Sequence, residues 1–133
     1  MNLSAVIQYL VPGITFFPGG QCSIANDAIV AWSHPSPQPT PAELAAAELP
    51  AAKAATIAAN RAECSRRIYA RYPAGRQSSV ALGIYSGAEA EAQAQTMKDW
   101  ISDMVAAENT AADEIEAATT VAAVEAVSVS WPA

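Results

Sequence analysis

Residues 40–43, Thr-Pro-Ala-Glu, decide the fold, because they form a complete signal for the start of a helix. The Thr40 hydroxyl can accept a hydrogen bond from the backbone N–H of Glu43, and the Glu43 carboxylate can reach back to the N–H of Thr40. Pro41 fits the first helical position, where its missing N–H is not needed. We therefore predict that the helical part of the chain begins here.

Several helices are predicted downstream of this start. The first ends near Leu49, where Pro50 kinks or restarts it, and the next spans about residues 51–72. Residues 77–86 are predicted to form a short helix, and a long helix begins near Ala88, with an apolar stripe at helical spacing. The stripe consists of Met97, Trp100, Ile101 and Met104. We expect this stripe to serve helix packing, with self-association into a homo-oligomer as the alternative.

Patterns typical of β structure lie at both ends of the chain. Residues 6–11, VIQYLV, are rich in β-branched and aromatic side chains and predict a strand. Two further segments of strand length flank Asn26-Asp27, a pair that favours a hairpin turn. Near the other end, residues 127–131 alternate apolar and polar side chains with period two, which predicts a short strand or an extended tail.

These elements predict an α+β fold in three parts. Residues 1–33 form a small β-rich head, residues 34–40 form a proline-rich linker, and residues 41–133 form a mostly α-helical body. A short C-terminal strand is compatible with this plan. Our candidate partner-binding residues are the head aromatics Phe16, Phe17 and Trp32, which alternatively form the core of the head.

The charged residues are distributed unevenly along the chain. The net charge is −6, which argues against nucleic-acid binding. Residues 53–76 hold six basic side chains and one acidic one, whereas residues 77–133 hold one basic side chain and nine acidic ones. We expect the basic segment to pack beside the acidic one. The alternative is that its arginines meet an acidic partner or a phosphate.

No arrangement of residues in the sequence indicates catalysis. The single histidine, His34, lies in the proline-rich linker, and no glycine-rich phosphate loop occurs. Cys22 and Cys64 lack the spacing of a metal motif. No apolar run is long enough to cross a membrane. We therefore expect a protein that is not an enzyme, uses no cofactor and does not bind a membrane.

Three short motifs resemble those of a known family in their order and spacing. Trp32, a proline-rich spacer and then Pro39-Thr40-Pro41-Ala42-Glu43-Leu44 resemble its W…P-x-P-T-x-x-E-L segment. Residues 72–77, YPAGRQ, are similar to its Y-P-x-W-[KR]-Q segment, and residues 97–101, MKDWI, are similar to its M-x-x-W-I helix. The family is that of the tail-fibre assembly proteins and tail assembly chaperones of phages. The resemblance covers about residues 29–105.

This resemblance implies a non-enzymatic protein that binds a phage tail-fibre protein and helps the distal part of a trimeric fibre to fold and trimerise. Its place would be the host cytoplasm during assembly, and also the virion tail where such a protein stays bound. The alternative is a structural virion subunit, such as an adaptor or decoration protein of the fibre or baseplate. A third interpretation, a regulatory nucleic-acid binder that uses residues 61–76, is disfavoured by the net charge of −6.

Overall fold

The computed structural model describes residues 1–84 and 86–133, and most of them are helical. The elements are α1 (Leu3–Leu10), β1 (Cys22–Ala25), β2 (Ala28–Trp32), α2 (Pro41–Arg71), α3 (Ala74–Ala81), α4 (Ala88–Ala117) and α5 (Val121–Ala126). Strands β1 and β2 form a two-stranded antiparallel sheet. The fold is therefore mostly helical with one small sheet, which agrees with the predicted α+β class.

The strand predicted at residues 6–11 is wrong, because most of this segment belongs to helix α1. Asn2 caps the helix, since its side-chain oxygen accepts a hydrogen bond at 3.2 Å from the backbone N–H three residues later. Leu3, Val6 and Ile7 recur at the spacing of one helical face, and all three are buried. The head is therefore one helix plus a hairpin, and it is not β-rich.

The hairpin expected around Asn26 and Asp27 is present, and its turn explains why. These two residues have φ angles of +51° and +56°, a left-handed conformation that short polar side chains tolerate well. Two such residues in succession match the twist of paired strands. The pairing shifts between Ser23 and Ile24, so Val30 lies opposite no residue of β1 and forms a bulge.

Helix α2 begins at the predicted capping box. The Thr40 N–H donates to Glu43 Oε2 at 2.7 Å, and the Glu43 N–H donates to the Thr40 hydroxyl at 3.3 Å. The bond from the Thr40 N–H, followed by the bond from the Thr40 hydroxyl, lowers the pKa of the Glu43 carboxyl. The carboxylate thus stays charged at the positive end of the helix dipole, where a negative charge is stabilising.

The predicted end of the helix near Leu49 is wrong, because α2 continues through Pro50 without interruption. A proline inside a helix removes one backbone hydrogen bond and crowds the preceding turn. Ala47 and Ala51, on either side of the proline, are buried against the head. Tertiary packing of both flanking segments therefore holds the helix through this position.

Two further expectations differ in detail from the structure. The short helix predicted at residues 77–86 is present as α3, but it begins and ends a few residues earlier in the sequence than predicted. Tyr85 of that prediction lies outside the described residues. Residues 127–133 form no regular secondary structure, and within the described chain they pair with no strand. The short C-terminal strand is therefore wrong, and the segment is an irregular tail that contains a tight turn from Val129 to Trp131.

Three clusters of buried side chains attach α1, the hairpin and α4 to α2. The head cluster contains Leu3, Ile7, Ile14 and Cys22, with Leu44 of α2 packed against it. A second cluster joins Val6 of α1 to Ala47 and Ala51 of α2. The body cluster joins Cys64 and Ile68 of α2 to Met104 of α4. Helix α2 therefore carries the head near its beginning and the antiparallel helix α4 near its end.

Candidate functional site

The stripe predicted on α4 contributes to the interior of the body. Met104 has no exposed area and Met97 is 4% exposed, whereas Trp100 and Ile101 are half-buried against the body cluster. Trp100, Ile101 and Met104 pack against the α2 residues Cys64 and Ile68 within one chain. Self-association through the remaining surface of Trp100 and Ile101 stays a prediction.

The three head aromatics occupy different environments. Phe16 and Trp32 are half-buried against the head cluster, whereas Phe17 is 53% exposed. The Trp32 indole N–H donates to the carbonyl oxygen of Ser36 at 2.8 Å, so this tryptophan fixes the start of the linker. A partner-binding role for all three stays a prediction, and Phe17 offers the largest free apolar area.

Phe17 and Val30 lie at opposite edges of one narrow ribbon. The Phe17 N–H donates to the carbonyl oxygen of Cys22 at 3.0 Å, which places residues 16–17 beside β1, with β2 on the other side. Val30, the bulge residue of β2, is 59% exposed. Within the described residues, no further strand pairs with β2. We call Phe17, Val30 and the outer edge of β2 the ribbon surface.

A second site lies where the irregular tail meets helices α2 and α4. Trp131 packs on the body cluster, and the guanidinium carbon of Arg67 lies 5.2 Å from the centre of its ring. At this distance a guanidinium attracts an aromatic ring electrostatically. Trp131 therefore packs between the apolar side chains of the body cluster and the guanidinium of Arg67.

The end of the tail is held by two hydrogen-bond donors. An oxygen of Ala133 accepts from the indole N–H of Trp100 at 2.9 Å and from Arg71 Nη1 at 3.0 Å. The guanidinium carbon of Arg71 also lies 4.5 Å from the centre of the Trp100 ring. We call the surface formed by Arg67, Arg71, Trp100 and the body cluster the tail groove.

The arginines near the tail groove are not equally neutralised. Glu63 accepts hydrogen bonds from Arg66 Nε and Nη2, both at 2.7 Å, and from Arg67 Nε at 2.6 Å. Among the described residues, Arg71 forms no ion pair with an aspartate or glutamate side chain. It donates instead to an oxygen of Ala133, so Arg71 is the arginine of this group that holds the tail.

Replacement of Glu63 is expected to change how stability depends on pH. Hydrogen bonds from Arg66 and then Arg67 lower the pKa of Glu63 from 4.5 to about 2. A lowered folded-state pKa stabilises the fold above pH 4.5, and this contribution disappears as the pH falls toward 2. The unfolding free energy of the parent chain minus that of Glu63→Gln should therefore shrink across this interval, as measured by urea unfolding.

The control for this experiment is Asp103→Asn, at an exposed carboxylate in the middle of α4. Added salt should also reduce the effect of Glu63→Gln, because the paired groups face solvent and are screened. A difference between parent and Glu63→Gln that does not change with pH would contradict the ion pair.

Buried groups in the body do not resemble an activated nucleophile. Burial raises the pKa of the Cys64 thiol, and the nearby Glu108 carboxylate raises it further. Burial likewise raises the pKa of Cys22. A thiol with a raised pKa is a poor nucleophile at neutral pH. Glu108 itself is 6% exposed and lies 3.5 Å from Arg61 Nε, so it links α4 to the basic part of α2.

The described residues contain neither a cluster suited to a metal ion nor a helix suited to crossing a membrane. Within residues 1–84 and 86–133, no group of three acidic, histidine or cysteine side chains is placed to hold a metal ion. In the same part of the chain, no helix combines the length and the apolar character that crossing a bilayer requires.

Comparison with known proteins connects the N-terminal part of the chain with phages. Residues 3–56 match a family described as XkdW protein, which is phage-associated. This match covers less than half of the chain, and includes the whole ribbon surface and none of the tail groove. No curated protein and no solved structure matches the chain. The match supports a phage protein, for which a structural or assembly role is plausible.

The sequence singled out Phe17 of the ribbon surface and Trp100 and Met104 of the tail groove, but it did not indicate that Val30 faces solvent or that the tail lies against α2 and α4. Val30 lay inside a predicted strand, where only the bulge reveals that it faces solvent. Arg67 and Arg71 belong to the basic segment of residues 53–76, but the tail was not assigned to them. The available signal was Trp131, the one large side chain in an alternating segment that follows the helices.

Proposed function

We propose that this chain is a non-enzymatic assembly chaperone of a phage tail fibre, and that it binds the fibre through the ribbon surface. The observation that supports this proposal most is the pair of exposed apolar side chains, Phe17 and Val30, on a ribbon with an open strand edge. Both side chains lie inside residues 3–56, the part that matches a phage-associated family.

An open strand edge can bind a partner by accepting an additional strand. Its unpaired N–H and C=O groups can add one strand of a partner, and Val30 on that edge can contact a side chain of the added strand. Phe17, at the opposite edge of the ribbon, offers a separate apolar contact. The fibre tips implied by the resemblance are intertwined β structures with many non-local contacts. Such structures form slowly and expose strand edges that aggregate. A ribbon that covers one edge would keep the fibre chain soluble until trimerisation.

The rest of the molecule fits a role in binding. Helix α1 and the beginning of α2 bury the inner face of the head, so the ribbon is held on a rigid support. The thiols of Cys22 and Cys64 have raised pKa values, which agrees with a function without nucleophilic chemistry. The proposal includes action in the host cytoplasm during assembly, without a cofactor, nucleic acid or membrane as ligand.

The test is co-expression with the tail-fibre protein of the same phage. The parent chain should form a complex of defined stoichiometry and increase the yield of soluble fibre trimer, as measured by gel filtration with light scattering. Phe17→Ser combined with Val30→Lys should weaken the complex by about tenfold or more, because a few apolar residues dominate such interfaces. Both side chains are exposed, so the fold of the variant should be retained.

The matched control is Leu82→Ser, which removes a side chain that is 76% exposed at the far end of the body. This variant should support the same fibre yield as the parent chain. If the parent chain leaves the yield and trimer content of the fibre unchanged, the chaperone proposal is wrong. Its presence in stoichiometric amount in purified particles, without such an effect, would identify a structural virion subunit instead.

A further inference from the structure

We propose that Glu108 fixes the register in which helix α4 packs against helix α2. Among the described residues it is the one buried charged side chain, with 6% of its surface exposed. Its Oε1 atom lies 3.5 Å from Arg61 Nε, whereas the Arg61 side chain is 69% exposed. The proposal concerns the helical body and does not depend on fibre binding by the ribbon surface.

The inward face of α4 repeats every seven residues, so its apolar side chains fit more than one register. Its members are spaced alternately four and three residues apart, as in the seam of a coiled coil. They are Met97, Ile101, Met104, Glu108, Ala111 and Ile115. A shift by seven residues, about 10.5 Å along the axis, would bring Met97 to the place that Met104 occupies against Cys64. One methionine would replace another, so apolar packing alone favours the observed register only weakly.

Polar groups on both helices oppose such a shift. Glu108 Oε1 and the amide nitrogen of the half-buried Asn60 are shielded from solvent, and within the described residues neither atom has a hydrogen-bond partner. A buried carboxylate without full hydrogen bonding costs free energy, and attraction to an arginine offsets this cost only in part.

The pairing of Glu108 with Arg61 makes the observed register the least costly one. A shift by seven residues would carry the carboxylate away from Arg61 and leave it buried without a cation. A polar residue in an apolar seam can specify one register in this way, although it lowers stability. Glu108 therefore contributes specificity to the helix pair more than stability.

The experiment measures a distance between α2 and α4 in the full chain. Spin labels are attached at two exposed positions through Ala55→Cys and Ser102→Cys, after Cys22 and Cys64 are replaced by alanine. Double electron–electron resonance should give one distance for this labelled parent and a second, well-separated distance in addition for Glu108→Leu. The urea midpoint of Glu108→Leu should equal or exceed that of the parent, since leucine matches the apolar seam.

Two control variants separate Glu108 from its surroundings. Asn109→Leu introduces the same side chain at the next, exposed residue of α4 and should keep one distance. Lys53→Ala removes a second polar contact between the helices, the hydrogen bond from Lys53 Nζ to the carbonyl oxygen of Glu116 at 2.6 Å. This variant should also keep one distance.

Arg61→Ala tests the pairing itself. It should lower the urea midpoint of the parent, because it leaves the Glu108 carboxylate buried and unpaired. Combined with Glu108→Leu it should have little further effect, since the two residues act as a pair. The matched control is Arg66→Ala, which breaks a more exposed pair with Glu63 and should lower the midpoint less.

One unchanged distance in Glu108→Leu would overturn the proposal. A lower urea midpoint of this variant, or its failure to fold, would also overturn it, because Glu108 would then serve stability. A second distance in Asn109→Leu or Lys53→Ala would show that the register does not depend specifically on Glu108. Equal effects of Arg61→Ala with and without Glu108 would contradict the pairing. The measurements contain no fibre protein, so a failure of fibre binding leaves their outcome unaffected.

Discussion

Replacement of Met104 by alanine is expected to lower the free energy of unfolding by about 2–5 kcal/mol. Met104 has no exposed area and packs against Cys64 and Ile68 at the centre of the body cluster. The smaller side chain loses apolar burial and leaves a cavity that the surrounding helices fill only in part. Urea unfolding monitored by far-UV circular dichroism measures the loss.

The matched control is Val105→Ala, at the next residue of the same helix. Val105 is 42% exposed, so its truncation should change the unfolding free energy by less than about 1 kcal/mol. Equal effects at the two positions would show that α4 does not present Met104 to α2. Such a result would also mean that Met104 is not part of the apolar surface on which Trp131 packs, and the tail groove would then not have the described structure.

Replacement of Gly20 by alanine is expected to lower the unfolding free energy by about 1–3 kcal/mol, as overpacking commonly does. A Cβ atom at Gly20 would lie 2.3 Å from the carbonyl carbon and the carbonyl oxygen of Phe16. Both atoms belong to the backbone, so no side-chain rotation relieves the contact. The loop must move, and Phe17 moves with it. Thermal unfolding measures the loss of stability, and the fibre-binding assay should show a parallel loss.

Gly75→Ala provides the control for the glycine experiment. A Cβ at Gly75 would meet nothing within 4 Å, and the residue lies in helix α3. Alanine restricts the unfolded chain and favours helix, so this variant should be neutral or more stable by about 0.4–1 kcal/mol. Destabilisation of both variants to the same extent would contradict the close approach of Gly20 to Phe16.

Features that depend on a few neighbouring residues were predictable from the sequence. The capping box of Thr40 and Glu43 and the turn at Asn26-Asp27 involve contacts within three residues along the chain. Their side chains determine the local backbone whatever surrounds them. The predicted class, a mostly helical chain with a small sheet, followed from these signals.

Features that depend on distant packing were not predictable. The segment that contains Val6 and Ile7 is short and apolar, and the pattern of such a segment is compatible with either a strand or a helix. Its partners Leu44 and Ala47 lie on α2, far along the chain. Helix α2 likewise tolerates Pro50 only because α1 packs on its flanking turns. In each case a tertiary contact outweighed the local preference.

The candidate surfaces were only partly predictable for the same reason. Aromatic composition identified Phe16 and Phe17 together, but only the backbone path decides that one faces the head cluster and the other faces solvent. The tail groove joins Arg71 to Ala133, which lie 62 residues apart in sequence. No spacing rule applies over such a distance, so the groove required the folded arrangement of α2, α4 and the tail.

Helix α2 sets the distance between the ribbon surface and the tail groove. Leu44 supports the head and Ile68 supports the tail groove, and the helical rise places them about 36 Å apart. One residue inserted between them would change this length by only about 1.5 Å but would rotate one end by about 100°. The phase of the helix, more than its length, therefore sets the direction in which the ribbon faces relative to the groove.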